Sequence, residues 1–112
     1  MENDAPIELL EYVTKNGRNP FREWLLGLRD AKTRARVRAR LNRVRLGNFG
    51  DSHSVGSGIS ELRMTFGSGY RVYYGRRGDS VVILLCGGDK ATQRRDIVKA
   101  KQYWATYLKR QS

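Results

Sequence analysis

Three consecutive segments in the second half of the chain have the residue pattern of β-strands. The first two, ISELRMTF (59–66) and YRVYYGRR (70–77), alternate between apolar and polar side chains for most of their length. The sequences between them, GSG (67–69) and GD (78–79), fit the tight turns of antiparallel hairpins. The third segment, SVVILLC (80–86), is apolar throughout, which is typical of a strand covered on both faces. The pattern therefore predicts three antiparallel strands, with the apolar one inside the sheet.

The first half of the chain predicts one strand and two helices. IELLEYVT (7–14) contains β-branched and aromatic residues and precedes a KNG turn signal, so we expect a strand. NPFREWLLGL (19–28) begins with an asparagine that can cap a helix and with a proline suited to the first helical position. A second helix is expected over 31–46, between the capping residue Asp30 and Gly47, where a helix would stop.

The segment RARVRARL (34–41) is ambiguous by itself, because arginine alternates with apolar residues as in a half-buried strand. The alternation ends after Leu41, whereas Val37, Leu41 and Val44 keep the i, i+4, i+7 spacing of a helix. Alanine, arginine and leucine also favour helices. We therefore expect a helical hairpin whose arginines flank a narrow apolar stripe. These arginines form either a solvated basic face or a surface that attracts or contacts a substrate.

The rest of the chain completes an α+β domain. NFGDSHSVGSG (48–58) is expected to be a loop, and KATQRRDIVKAKQYWATYLKR (90–110) a C-terminal helix. The predicted order is β-α-α-β-β-β-α, with an N-terminal helical hairpin and a C-terminal helix packed on a small, mostly antiparallel sheet. At 112 residues, the chain is expected to be one domain over 1–112.

The charge of the chain predicts an acidic partner. The formal net charge is +11, and 16 of the 22 basic residues are arginine, whose planar fork suits phosphate and carboxylate groups. Such a partner would be a nucleic acid or an acidic protein. The alternative is a basic surface that is merely solvated and binds nothing.

The composition also limits the chemistry and the compartment. One cysteine, Cys86, and one histidine allow neither an internal disulfide nor a Cys/His zinc cluster, so we expect no metal and no other cofactor. No apolar run approaches the length of a membrane span, and the first residues lack the pattern of a signal peptide. We therefore expect a cytoplasmic protein.

Charged and aromatic side chains are expected to converge on one face of the sheet. If Phe66 pairs with Tyr70 across the turn, Arg63 faces Tyr73 and becomes a diagonal neighbour of Arg71. Two guanidinium groups beside a tyrosine on an open sheet face indicate an anion site. Either arginine alone would be an ordinary surface cation.

The segment GGDKATQRRD (87–96), directly after the apolar strand, adds basic and polar residues at a helix start. Its glycines are expected to let the backbone approach a ligand, and the dipole of the helix favours phosphate there. The residues expected to bind phosphate in this segment are Lys90, Gln93, Arg94 and Arg95.

Four motifs occur in a characteristic order: ELR (61–63), GYRVYY (69–74), LLCGGDKATQ (84–93) and DIVKA (96–100). In this order and spacing they resemble the RelE/ParE superfamily of toxins from type II toxin–antitoxin systems. The resemblance is strongest to the branch described as HigB-like, Gp49-like or addiction-module killer protein. NPFREWL (19–25) is similar to the first helix of that family, so the resemblance extends over nearly the whole chain.

The resemblance implies an mRNA interferase, an endoribonuclease that cuts mRNA on the translating ribosome, inhibits translation and arrests growth. It also implies a cognate antitoxin, often of the helix-turn-helix type. The implied reaction is metal-independent: a ribose 2′-OH attacks the adjacent phosphate while Arg63 and Arg71 stabilise the developing charge. RelE carries lysines where this chain has Ile59 and Glu61.

The proton-transfer residue stays open among three candidates, which are Tyr73, Lys90 and His53. Histidine has a suitable intrinsic pKa, although a single loop histidine is usually only solvated. The residues expected to bind RNA are Arg77, Gln93, Arg94 and Arg95. Two other functions stay open: a gyrase poison of the ParE type on the same fold, and a basic RNA-binding or ribosome-binding module without catalysis.

Overall fold

The computed structural model describes residues 6–111, which form five strands and three α-helices and confirm the predicted α+β class. A short 3-10 helix, Lys90–Thr92, directly precedes the last α-helix. The other elements in chain order are β1 (Glu8–Glu11), α1 (Pro20–Gly27), α2 (Ala31–Arg45), β2 (Ser52–Gly56), β3 (Ile59–Arg63), β4 (Arg71–Arg77), β5 (Val81–Gly88) and α3 (Gln93–Gln111).

The strands form one sheet in the order β1-β5-β4-β3-β2. β1 pairs with β5 in parallel, and the other neighbours are antiparallel. β5 therefore lies between β1 and β4, which confirms that the apolar segment is an interior strand.

The predicted caps of the two N-terminal helices are present. The Asn19 side chain accepts a hydrogen bond from the Arg22 amide at 3.0 Å, and the Asp30 side chain accepts one from the Lys32 amide at 3.1 Å. Because each cap satisfies an amide that the helix itself leaves unpaired, the two helices begin where the sequence predicts. Within residues 6–111, no helix combines the length and apolarity needed to cross a bilayer.

The two faces of the sheet carry separate clusters of buried side chains. α1 and α2 cover one face, and the predicted stripe of Val37, Leu41 and Val44 is buried there. α3 covers part of the other face through Ala100 and Trp104. The sheet therefore lies between two helical layers.

The prediction of a loop over 48–58 is wrong, because Ser52–Gly56 forms β2 at the edge of the sheet. Its side chains are half-buried or exposed, so the strand carries no apolar alternation. An edge strand is held by the main-chain hydrogen bonds to one neighbour, here β3, and a polar sequence can form it. The pairing places His53 opposite Glu61.

The predicted register between β3 and β4 is also wrong, by two residues. Arg63 lies directly opposite Arg71, and Glu61 lies opposite Tyr73. The connection is longer than GSG because Phe66 and Tyr70 do not pair in the sheet; their rings pack edge to face at 5.8 Å instead. The two arginines are thus direct cross-strand neighbours and not diagonal ones.

Candidate functional site

The candidate site is built around Glu61, a carboxylate with a relative exposure of 0% on the α3 side of the sheet. Its Oε1 accepts a hydrogen bond from Arg63 Nε at 2.8 Å, and its Oε2 accepts bonds from Gln93 Nε2 at 2.7 Å and the Tyr73 hydroxyl at 3.1 Å. Arg71 Nε lies 3.4 Å from Oε2. We call these five residues the Glu61 cluster.

The geometry of the sheet brings the cluster together. Side chains two residues apart on a strand share a face, so Glu61 and Arg63 point the same way from β3. Their cross-strand partners on β4, Tyr73 and Arg71, point the same way. Gln93 is the first residue of α3 and reaches the carboxylate from above the sheet.

The charges of the cluster are only partly balanced, since two guanidinium groups share one carboxylate. Burial by itself raises the pKa of Glu61, but hydrogen bonds from Arg63, Gln93 and Tyr73 and the charge of Arg71 outweigh it and lower the pKa below its usual value. Glu61 is therefore ionised near neutral pH. Burial, together with the charge and hydrogen bond of Glu61, raises the pKa of Tyr73, so that phenol keeps its proton.

Arg71 is nearly buried, and its Nε has no hydrogen bond. Its side chain is 11% exposed, and its Nη1 donates to the Gly69 carbonyl oxygen at 2.7 Å. Among the buried side-chain nitrogen and oxygen atoms of residues 6–111, only Arg71 Nε has no aligned hydrogen bond. The ion pair to Glu61 is thus electrostatic. Gly69 has φ +76°, and a Cβ there would lie 3.2 Å from Arg71 Nη1 and 3.4 Å from Lys90 Cβ.

The predicted phosphate-binding segment lies next to this arginine. The Lys90 amide donates to the Ser68 carbonyl oxygen at 3.4 Å, which ties the segment to the β3–β4 connection. Lys90, Arg94 and Arg95 are exposed. A cavity of about 410 Å³ is lined by Lys90, Ala91, Thr92, Gln93, Arg94 and Arg95. The structure therefore brings these basic residues beside the Glu61 cluster, with Gln93 as the direct link.

The predicted role of the two glycines before this segment is wrong. A Cβ on Gly87 would lie 2.2 Å from the Trp24 ring, and one on Gly88 would lie 1.9 Å from an Asp96 carboxylate oxygen. The missing side chains therefore make room for packing within the protein, and these positions do not open the backbone to a ligand.

The two outlying candidates differ in position. His53 is exposed on β2, on the same sheet face as Glu61, and its Nε2 lies 2.5 Å from Asp51 Oδ1. Arg77 lies at the opposite end of β4 from Arg71, about 20 Å along the strand, and its Nη1 donates to the Tyr107 hydroxyl at 3.1 Å. The structure thus places His53 near the cluster and Arg77 apart from it.

The expectation of an open sheet face is wrong over Tyr73, which has 0% exposure. The two arginines need no external anion to hold them together, because the chain supplies its own carboxylate. Sequence reasoning missed Glu61 and also Asp51, the partner of His53. The available signal for Glu61 was its spacing, because opposite charges at i and i+2 of one strand lie on the same face.

Comparison with known proteins gives two matches. The model of a protein family described as phage-derived protein Gp49-like (DUF891) matches residues 23–105. An uncharacterized protein of Haemophilus influenzae is 51% identical over 81 residues, which cover 72% of this chain and 82% of that protein. The family match includes every residue of the Glu61 cluster and also Asp51 and His53.

Proposed function

Because this chain belongs to the phage-derived Gp49-like family, we propose that it is the toxin of a type II toxin–antitoxin module and cuts mRNA on the translating ribosome. The observation that carries the proposal is the pair of guanidinium groups, Arg63 and Arg71, fixed side by side by Glu61. Such a pair suits a phosphodiester whose oxygens gain negative charge during the reaction.

In the proposed reaction a ribose 2′-OH loses its proton and attacks the adjacent phosphorus, which forms a 2′,3′-cyclic phosphate. The bond to the 5′-oxygen of the next nucleotide breaks, and this oxygen takes a proton from water and leaves as a hydroxyl. Arg71 contributes the positive charge of a side chain that is 11% exposed, and Arg63 offers the terminal nitrogens of a side chain that is 41% exposed. Since Glu61 holds both groups before the substrate arrives, little reorganisation is needed as charge develops. The surplus of one positive charge in the cluster favours the dianionic transition state.

His53 is the proposed base for the 2′-OH proton. The Asp51 carboxylate contacts the ring nitrogen Nε2 at 2.5 Å, and an aspartate in this position orients the ring. Tyr73 fits the role less well, because its hydroxyl is buried and donates to Glu61. We assign Tyr73 and Gln93 to positioning the carboxylate, and Lys90, Arg94 and Arg95 to contacts with RNA.

The proposed partners are the ribosome with its mRNA and a cognate antitoxin of the helix-turn-helix type. The net charge of +11 supports an acidic partner of either kind. The antitoxin is expected to be encoded in an adjacent reading frame, and its co-expression is expected to restore growth of cells that the isolated chain arrests.

One experiment separates this proposal from the two alternatives. The purified chain is incubated with translating ribosomes, and the mRNA is examined by primer extension; a gyrase supercoiling assay runs in parallel. We expect discrete new 5′ ends in the mRNA and normal supercoiling. Blocked supercoiling with intact mRNA would indicate a gyrase poison. Ribosome binding with neither effect would indicate a non-catalytic module.

A further inference from the structure

A second concentration of arginines lies outside the Glu61 cluster, in a cleft between α2 and the chain that follows β3. The cleft has a volume of about 350 Å³, which is within the range of ligand sites. Four arginines line it against a single carboxylate, that of Asp51. The four are Arg36, Arg40, Arg43 and Arg63. We call this the arginine cleft.

Three of these arginines occur at helical spacing i, i+4 and i+7, so they form one stripe along α2. Arg40 is the middle one and has 7% exposure. Its Nη2 donates to the backbone carbonyl oxygens of Phe49 at 2.6 Å and Asp51 at 3.5 Å. A Cβ on Gly50 would lie 2.9 Å from the same nitrogen, so the loop is shaped around this guanidinium.

Within residues 6–111, no carboxylate forms an ion pair with the stripe. Near the start of α1, Arg18 pairs with Glu23 and Arg22 pairs with Glu11. By contrast, no ion pair in the range 6–111 involves Arg36, Arg40 or Arg43. The partners of Arg40 are neutral carbonyl groups, and burial together with the nearby charge of Arg43 lowers its pKa. A cleft of this kind has a strongly positive potential.

Arg63 belongs to both sites. Its Nε bonds to Glu61, and Arg63 also lines the arginine cleft. At the other side of the cleft, the Arg36 guanidinium lies 4.0 Å from the centre of the Phe66 ring. A phosphate bound at either site would therefore lie beside the same arginine.

We infer that the arginine cleft binds the phosphodiester backbone of the RNA strand beside the scissile phosphate. The inference rests on the proposed function, because Arg63 lines the cleft and also belongs to the Glu61 cluster. Arginine forks match phosphate oxygens, and the cleft presents four of them around one carboxylate. An acidic peptide would use the charge of the cleft but not its continuity with the Glu61 cluster.

The test measures binding of a fluorescent single-stranded RNA with 2′-O-methyl riboses, which keeps the phosphates and removes the nucleophile. The cleft variant is Arg36→Ala/Arg43→Ala, since both side chains are exposed. The matched control is Arg38→Ala/Arg45→Ala, which removes the same charge from the other side of α2. Arg38 and Arg45 line a different cleft, with Leu9, Glu11 and Leu25 among its residues.

We expect the cleft variant to bind at least about tenfold more weakly than the control. Its log–log dependence on salt should be shallower by about 0.7 for each RNA phosphate that the variant no longer binds. Equal affinities and equal salt slopes in the two variants would overturn the inference, as would wild-type protein that does not bind this RNA.

A second arm uses a poly-glutamate peptide and inorganic pyrophosphate as competitors. RNA that is displaced only by much higher concentrations of either supports a backbone site. A peptide whose affinity falls in the cleft variant, with RNA affinity unchanged, would indicate an acidic protein partner and overturn the inference. A different result would show that only the proposed function is wrong. In that case the wild-type protein would leave mRNA intact on ribosomes, while the cleft variant would still bind RNA more weakly than the control.

Discussion

Glu61 and Leu62 are neighbours in β3 and are both fully buried, but they lie on opposite faces of the sheet. The side chains around Leu62 are apolar, whereas those around Glu61 are charged or polar. Leu62 packs beneath α1 and α2, in a cluster of apolar and aromatic side chains. Glu61 lies on the α3 face, where apolar packing under Trp104 gives way to two arginines, a tyrosine and a glutamine. The sheet side chains beneath α1 and α2 form an apolar core, whereas those on the α3 face are divided between apolar packing and charge.

The division follows from where α3 begins. Its middle residues, Ala100 and Trp104, cover one end of the sheet, while its first residue, Gln93, places an amide over Glu61. Removing a carboxylate and a guanidinium from water costs several kcal/mol per ion, and the mutual attraction of the groups offsets only part of it. A protein keeps such destabilising buried charges where a reaction requires charges in fixed positions. For this reason we place the proposed function on the α3 face.

The largest expected effects come from replacing Glu61 or Leu62 by alanine. Glu61→Ala leaves Arg71 buried without its counter-charge, and we expect a loss of about 3–5 kcal/mol in the free energy of unfolding together with loss of cleavage. Leu62→Ala should cost about 2–5 kcal/mol through a cavity, with cleavage per folded molecule retained. Urea unfolding and cleavage rates normalised to the folded fraction measure both.

If both variants lost cleavage only in proportion to their unfolded fraction, the result would contradict a functional role for the α3 face. Glu61→Gln is the control for poor folding of Glu61→Ala, because the amide keeps the shape and a hydrogen-bond acceptor. A Glu61→Gln protein that is folded and cleaves mRNA normally would show that Glu61 serves packing alone.

The next effect concerns His53, which extends the charged face to the edge strand. His53→Ala should reduce single-turnover cleavage by about 10²-fold, within the range of a lost general base, while RNA affinity stays unchanged. The side chain is exposed, so the fold is expected to survive. Near-normal cleavage would remove His53 from the mechanism.

The smallest expected effect is on how the free energy of unfolding depends on pH, which Glu61 influences and the apolar face does not. Because the folded state lowers the pKa of Glu61, this group adds stability above its unfolded pKa, and that stability is lost as the pH falls through the folded pKa. The gap between wild type and Glu61→Gln in urea unfolding should therefore be widest near neutral pH and narrow in acid. A gap that is constant from neutral to acidic pH would contradict an ionised Glu61.

The parts of the fold that follow local rules could be predicted from the sequence. The apolar run of β5 indicated an interior strand, and Asn19 and Asp30 marked the starts of two helices. Each of these signals depends on residues that are close in sequence. β2 had no such signal, since a polar edge strand depends on its neighbour in the sheet.

The candidate site could be predicted only in part. The alternation in β3 and β4 placed Arg63, Arg71 and Tyr73 on one face, as the structure has them. The register depended on how Phe66 and Tyr70 pack, which a turn of glycines does not determine. The central position of Glu61 depends on that register and on the first residue of α3, so it became visible only in three dimensions.

The most direct test of the account is the single-turnover rate of mRNA cleavage on translating ribosomes for Arg71→Ala, with the exposed Arg76→Ala on the same strand as control. We predict a loss of about 10²–10³-fold for Arg71→Ala, comparable to removing one donor from an oxyanion site. The thermal midpoint should stay close to that of wild type, because Glu61 keeps bonds from Arg63, Tyr73 and Gln93. Arg76→Ala should stay within about twofold of wild type. An Arg71→Ala protein that cleaves at the wild-type rate, or that loses cleavage only by unfolding, would contradict the placement of the site.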